Sequence, residues 1–277
     1  MKRLVIASIL MIGLGCGAQA QGPREYSPND FIPGSPAYWN WSGFYVGGQF
    51  GLSSANFDPG KATQPMVANL LRLTTIEQEA QVSSWPNLPR SSSSGTNYGA
   101  FFGYNSQWDD VILGVEFSYN FGNDMSAQAN DLIARSFSAS DGYLYNVRVN
   151  SRAAMNFKDF GTIRGRAGYV MGRFLPYVQL GAAIGRADLR RSVTVNLTGT
   201  DADPGAAPPL PNVALNRTAT DGKKDAFVYG VTAGLGVDIA ITENIFLRAE
   251  YEFIQFFQAQ SMTVALNTGR LGVGVKF

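Results

Sequence analysis

The chain has 277 residues, a formal net charge of +1, 45% hydrophobic and 16% charged residues, 31 glycines, 18 phenylalanines, 12 tyrosines and no histidine. The near-neutral balance provides no strong overall field to recruit nucleic acid or an anionic surface, and the lack of histidine excludes His-based general-base catalysis, histidine metal sites and Ser-His-Asp triads. A charged share below the about 25% usual for soluble domains, with abundant glycine and aromatics but no long apolar run, points to many strands.

The first segment reads as a secretory signal. Lys2 and Arg3 precede a short apolar run, Leu4 to Leu14, and Ala18-Gln19-Ala20 forms an A-x-A cleavage site. The run falls short of the about 20 residues that a spanning helix needs. The alternative, lipid attachment at Cys16, wants a larger apolar residue where Gly13 stands. Removal of residues 1–20 leaves a chain without cysteine, and so without a disulfide framework, thiol nucleophile or thiolate metal site. Residues 21–40 hold four prolines and little periodicity and are expected to form a flexible periplasmic leader.

Regular structure is expected over 41–277, in eight alternating segments: Gly43 to Ser53, Asn97 to Gln107, Val111 to Phe121, Gly161 to Met171, Leu175 to Gly185, Phe227 to Ile239, Ile245 to Ile254 and Asn267 to Phe277. Each has about the 9–11 residues of a tilted transmembrane strand. Long polar links follow the first, third and fifth segments (54–96, 122–160, 186–226), and short ones the second, fourth and sixth. The link Gln255 to Leu266 is intermediate. Long external loops and tight periplasmic turns have this asymmetry. Within the links, Tyr143 to Phe157 alternates in part, as a strand extension would, and Lys61 to Val82 fits a short helix with Val67, Leu70 and Leu71 on one face.

Alternation alone suits either a soluble sandwich or a barrel in lipid; the polar face discriminates. Glu116, Arg164, Arg166, Asp238, Arg248, Glu250, Glu252, Arg270 and Lys276 all fall on the polar face of their segments, which is also rich in glycine. A charge on a lipid-facing position near the midplane costs about 2–4 kcal/mol. A water-exposed sheet face has no use for so many glycines, whereas a narrow lumen must interleave large side chains with absent ones. These nine residues are expected to form a cross-paired charge network, since an unpaired buried charge is strongly unfavourable. Trp41, Phe44, Tyr104, Trp108, Tyr119, Phe121, Phe253, Phe256, Phe257 and Phe277 lie near segment ends and read as two aromatic girdles. No later stretch approaches 18 apolar residues, so a membrane-embedded chain must be a closed barrel. The expected fold is all-β, an eight-stranded antiparallel up-and-down transmembrane β-barrel.

The ordered motifs Trp41 to Gly48 (WSGFYVGG), Tyr98 to Asn105 (YGAFFGYN), Gly114 to Phe117 (GVEF), Gly161 to Tyr169 (GTIRGRAGY), Leu175-Pro-Tyr177, Arg248 to Tyr251 (RAEY) and terminal Phe277 resemble the small outer-membrane β-barrel proteins of alphaproteobacteria, relatives of the OmpA and OmpX barrel type. The resemblance implies an outer-membrane location in a Gram-negative bacterium. It also implies a role for Phe277 as the signal read by the barrel-assembly machinery, and duties in envelope integrity and surface contact. Outer-membrane lipid, lipopolysaccharide and host or envelope molecules met through the loops are the implied partners. Some relatives are porin-like or bind heme; here heme iron would need Tyr or Met ligation.

A surface-exposed barrel with a filled lumen is therefore the expected function, with a narrow porin-like channel for small solutes as the alternative. No enzyme activity, cofactor or metal is expected. Glu250 and Glu252 form a conceivable carboxylate pair, but Arg248 beside them favours an ion-pair network. Gly234-Leu-Gly236 sits within an alternating strand with no helical pattern after it, so a nucleotide loop fails on context. The loops carry mixed charge and no long basic run, so neither a lipid-specific nor a nucleic-acid-binding patch is legible.

Overall fold

The computed structural model describes residues 39–123, 125–205, 209–259 and 262–277; the signal at 1–20, with Ala18 and Ala20, and most of the leader at 21–40 lie outside the described residues. Nine strands are present among the described residues: β1 (Gly43–Asp58), β2 (Ser91–Trp108), β3 (Val111–Asn123), β4 (Ser126–Ser138), β5 (Tyr143–Tyr169), β6 (Phe174–Asp201), β7 (Val213–Ala240), β8 (Ile245–Ala259) and β9 (Met262–Lys276). They run in the order β3-β2-β1-β9-β8-β7-β6-β5-β4, all neighbours antiparallel, and a β3–β5 pairing closes the ring. Both β3 and β4 lie along β5: Val111 to Phe121 pair with its second half, Ser126 to Ser138 with its first. They occupy one stave, so the barrel has eight.

All eight expected segments are strands in the expected places. The links are not all loops. Residues 122–160 and 186–226 fold largely as β4 and as continuations of β5, β6 and β7, which reach 27 or 28 residues each. This corrects the reading of those links and agrees with the alternation noticed over Tyr143 to Phe157. The link 54–96 includes α1 (Gln64–Leu70) and α2 (Thr75–Ala80). Val67 and Leu71 are fully buried there and Leu70 partly so. Two of the three short turns bend through left-handed residues, Asp109 and Gly172, conformations that favour Gly, Asn or Asp.

The strands change environment along their length. On β6 the outward residues run Val178, Leu180, Ala182 and Ile184, then Arg186, Asp188, Arg190, Ser192 and Thr194. The inward residues run the opposite way, from Gln179 and Gly181 to Ala183, Ala187, Leu189, Val193, Val195 and Leu197. The lower barrel is thus apolar outside and polar inside, as a bilayer demands. The extension above it is polar outside and apolar inside, as water demands. Against the apolar inner face lie Val67 and Leu71 of the α1 region with Ile76 and Val82, each burial contributing about 1.5–3 kcal/mol.

One inserted residue on each of two strands marks the boundary. The β5–β6 register shifts between Phe157 and Asp159, and the β6–β7 register between Ala187 and Leu189, where Lys224 and Asp225 are passed on β7. Such bulges reverse which alternate residues face inward. On β5 the inward set changes from odd (Tyr145, Val147, Val149) to even (Thr162, Arg164, Arg166).

Candidate functional site

The inner surface of the barrel is stacked in layers. At the end bearing the short turns, Trp41, Tyr45, Phe101, Ile112, Leu175, Tyr177 and Phe246 form an apolar plug. The glycines of the polar face have a visible cause here. Gly47 lies opposite Phe101, Gly103 opposite Tyr45, Gly236 opposite Tyr177 and Gly274 opposite Phe246 across adjacent strands. A Cβ on any of the four would overlap its partner's ring or phenol oxygen. Each aromatic lies over a position with no side chain.

The ionic layer comes next. Arg164, wholly buried, donates to Glu116 Oε1 at 2.5 Å, Glu250 Oε1 at 2.7 Å and Glu252 Oε1 at 2.8 Å. Arg248 reaches Glu116 Oε2 at 2.6 Å and Asp238 Oδ1 at 2.8 Å. Arg166 pairs with Asp238 at 2.8 Å, and Arg270 pairs with Glu252 and lies 3.4 Å from Glu250. Three of these contacts, Glu116 with Arg164, Asp238 with Arg248 and Glu250 with Arg270, join residues directly opposite on neighbouring strands. Alternation therefore places the charges inward, and strand register places them in contact.

Eight of the nine charged residues named from the sequence are brought together. Lys276 is not: its Nζ reaches the backbone oxygen of Asn40 at the barrel rim. Its parity is that of Arg270, but six residues further along β9 the lumen has ended. With Lys276 outside, four carboxylates face four guanidiniums and the buried set is neutral, which limits its desolvation cost. Uncharged partners that the sequence reading missed complete the layer. Tyr45 Oη donates to Glu116 at 2.8 Å, Tyr177 Oη to Glu250 at 3.1 Å and Thr232 Oγ1 to Glu252 at 2.7 Å. Their inward parity is legible, but an aromatic at an inward position equally suits a plug.

Arginine also joins the two layers. The Arg248 guanidinium lies 4.0 Å from the Phe101 ring centre and that of Arg166 3.8 Å from Tyr177, cation–π contacts that gain strength when desolvated. Above the charges, Gln49 donates to Asn120 at 2.6 Å, while Ser118 and Thr162 share a 2.8 Å bond, as do Ser53 and Thr268 at 2.7 Å. An apolar cluster follows, including Phe57, Phe157, Phe160, Ile254, Phe256 and Leu266.

Two expected girdle residues are corrected by these layers. Trp41, 2% exposed, belongs to the lower plug, and Phe256, also 2% exposed, to the upper cluster. Phe256 is even-numbered on β8, like Arg248 and Glu250, so it turns inward. Phe44, Tyr104, Trp108, Tyr119, Phe121, Phe253 and Phe257 face outward. Phe277 is 75% exposed at the rim, its backbone N–H donating to Phe44 at 2.8 Å. Every carboxylate of the ionic layer is engaged by a guanidinium, and among the described residues no group of three or more metal-ligating side chains is assembled.

Comparison with known proteins places this geometry in context. The outer membrane protein beta-barrel domain matches residues 10–277. The chain is 25% identical over 249 residues to the 22 kDa outer membrane protein of Rhizobium leguminosarum bv. viciae, covering 86% of this chain and 79% of that one. It is 25% identical over 187 residues to the 25 kDa outer-membrane immunogenic protein of Brucella abortus biovar 1, covering 65% of this chain and 64% of the relative, just under two thirds of its length. Among solved structures, the outer membrane protein OprG from Pseudomonas aeruginosa aligns with 13% identity and a TM-score of 0.39, covering 85% of this chain and 96% of that one.

Proposed function

Because the chain belongs to the outer membrane protein β-barrel family and resides in the Gram-negative outer membrane, we propose that it is a sealed barrel whose work is structural and at the cell surface. The observation that carries this reading is the filled lumen. An apolar plug, a neutral set of four acids and four arginines, a polar layer and a second apolar cluster follow one another along the inner wall. Eight strands enclose an interior just wide enough for side chains, and here side chains from every stave occupy it. A solute would have to separate several buried ion pairs, and breaking even one is strongly unfavourable.

The sealed stave-work serves as a base for the sheet of β4 to β7, which carries the helical segment on its inner face. The Brucella relative is named an immunogenic protein, which supports a surface role for the corresponding face of this chain. The reading assigns no reaction: Glu250 and Glu252 are held by Arg164 and Arg270, which removes them as free acid or base. The exposed rim position of Phe277 supports recognition of that residue by the barrel-assembly machinery.

Planar-bilayer recording tests the reading. The refolded protein is expected to give no steady openings at neutral pH. Stable unitary conductance would overturn it in favour of a narrow channel.

A further inference from the structure

Each arginine of the ionic layer lies opposite a glycine on a neighbouring strand, and beyond that glycine stands a polar side chain. Register lines up Arg164, Gly181 and Thr232; Arg166, Gly114 and Asn105; Arg248, Gly272 and Gln49; and Arg270, Gly51 and Asn97. The two triplets that end in asparagine share a further property. Among the described residues, Asn97 Oδ1 and Arg270 Nε, like Asn105 Oδ1 and Arg166 Nε, are buried without a hydrogen-bond partner. Buried polar groups rarely go unmet. In the other two triplets Thr232 donates to Glu252 and Arg248 Nε to Asp238, so no such matched pair remains.

Each pair converges on its glycine. A Cβ on Gly51 would come 2.6 Å from Arg270 Cγ and 3.0 Å from Asn97 Oδ1; one on Gly114 would come 3.2 Å from Arg166 Cγ and 2.5 Å from Asn105 Oδ1. The other atoms of these side chains are engaged elsewhere. The guanidinium tip of Arg166 reaches Asp238 and Tyr45, and that of Arg270 pairs with Glu252, which leaves both Nε atoms behind, near the glycines. Asn97 Nδ2 donates to Ser53 Oγ, and Asn105 Nδ2 to the Trp41 carbonyl at 3.4 Å, so the amide oxygens turn the other way. A carbonyl can only accept, which fixes the Asn105 amide in this orientation.

We propose that each Asn–Gly–Arg triplet binds one water molecule, which accepts from the arginine Nε–H and donates to the asparagine Oδ1. The Nε–H only donates and the amide oxygen only accepts, and water complements both; buried waters in proteins join otherwise unpaired groups in this way. An anion would meet the Nε–H but also an amide oxygen. The glycine leaves the room that a Cβ would take. The assignment rests on the filled lumen proposed above: the waters are two fixed points within it, one linking β9, β1 and β2, the other β5, β3 and β2.

The test uses the refolded mature chain in lipid nanodiscs with isotope-labelled arginine, and reads magnetisation transfer from water to each Nε–H by NMR. In the rotating frame, contact with a bound water and proton exchange with bulk solvent have opposite signs. R166K and R270K assign the two signals, and Arg248, whose Nε donates to Asp238, is the internal control. Contact-sign transfer is expected at Arg166 and Arg270 and none at Arg248. N97L should abolish the Arg270 transfer and keep that of Arg166, and N105L the reverse, with heat-dependent gel mobility reporting the folding of each. The wild-type spectrum decides even where a variant does not fold. Absence of contact-sign transfer at Arg166 and Arg270 would overturn the two sites and leave the filled lumen standing. Exchange-sign transfer that includes Arg248 would overturn both, in favour of a continuous water column. Arginine signals that move when chloride replaces gluconate at fixed ionic strength would assign the sites to anions instead.

Discussion

Glu116 and Arg164 stand directly opposite each other on β3 and β5, and their side chains meet at 2.5 Å inside the barrel. Arg164 also holds Glu250 and Glu252, while Glu116 holds Arg248. The pair is a node: removing either member takes one partner from more than one opposite charge.

Glu116→Ala is accordingly expected to destabilise the barrel by about 3–5 kcal/mol, the usual loss when one member of a buried pair is removed. Arg164→Lys should also destabilise, because one ammonium cannot reproduce a planar fork across three carboxylates. Urea midpoints of the protein refolded in lipid vesicles, followed by gel mobility, measure both. A midpoint unchanged in E116A would show that the network contributes nothing.

The lumen aromatics and their facing glycines predict a coupling. Gly274→Val drives a side chain into the Phe246 ring and is expected to cost about 1–3 kcal/mol, as overpacking generally does. Phe246→Ala opens a cavity and costs about 3–5 kcal/mol alone. Together the two should cost clearly less than their sum, since the added methyls occupy part of the vacated space. A double-mutant cycle on the same urea midpoints decides, and strict additivity would refute the pairing.

Two arginines fasten the helical segment to the extension. Arg191 donates to the carbonyl of Ala62 at 2.9 Å and Arg217 to that of Leu70 at 2.5 Å, at the end of α1. In R191A/R217A the segment is expected to open more often, with tryptic cleavage at Lys61 or Arg72 about a hundredfold faster, the weight of two lost charge-assisted hydrogen bonds at about 1.5 kcal/mol each. The barrel itself should keep its heat-dependent gel mobility. Unchanged cleavage would mean that Val67, Leu71, Ile76 and Val82 hold the segment unaided.

At the level of the two bulges, Lys158 bridges Asp188 at 3.1 Å and Asp225 at 2.8 Å, and the Asp225 N–H donates to Asp188. The Asp225 N–H, and then Lys158, hold the Asp188 carboxyl below its ordinary range, and the guanidinium of Arg186 does the same for Asp159. Carboxylates of depressed pKa contribute stability above their unfolded value near 4 that is lost as pH falls through the folded one. Hydrogen exchange at residues 186–190 and 222–226, corrected for intrinsic rates, should therefore accelerate from pH 5 to pH 2, and less so in Asp188→Asn. The Lys158 ammonium is shifted upward by Asp225 and Asp188, so its contribution persists through neutrality and disappears only in strong alkali. Exchange that is insensitive to acid would refute the clasp.

The membrane-embedded half of the fold was legible because a bilayer imposes a strict code: alternation over about ten residues, charges on one face only. Arg164, Glu250 and Arg270 carry that code plainly. The extension follows the reverse code, with Val147 and Val195 inward and Arg148 and Asn196 outward, so a search for lipid-facing strands passes over it. Its outward Ser, Thr and Asn have the composition of loops, and the bulge after Phe157 breaks the alternation where β5 crosses between environments. Lys276 shows a further limit. Parity fixes which way a side chain turns, but not how far along the strand each layer lies.

The inserted residue near Lys158 has a consequence for how this strand can change in length. β5 serves two solvents in opposite phase, and a single residue keeps both phases correct. Adding or removing two residues in the outer part of β5 preserves every inward and outward assignment. Removing one at the bulge would turn Tyr145, Val147 and Val149 to water or Arg164 and Arg166 to hydrocarbon. The outer sheet can therefore lengthen or shorten only in steps of two, unless a neighbouring strand gains a compensating kink.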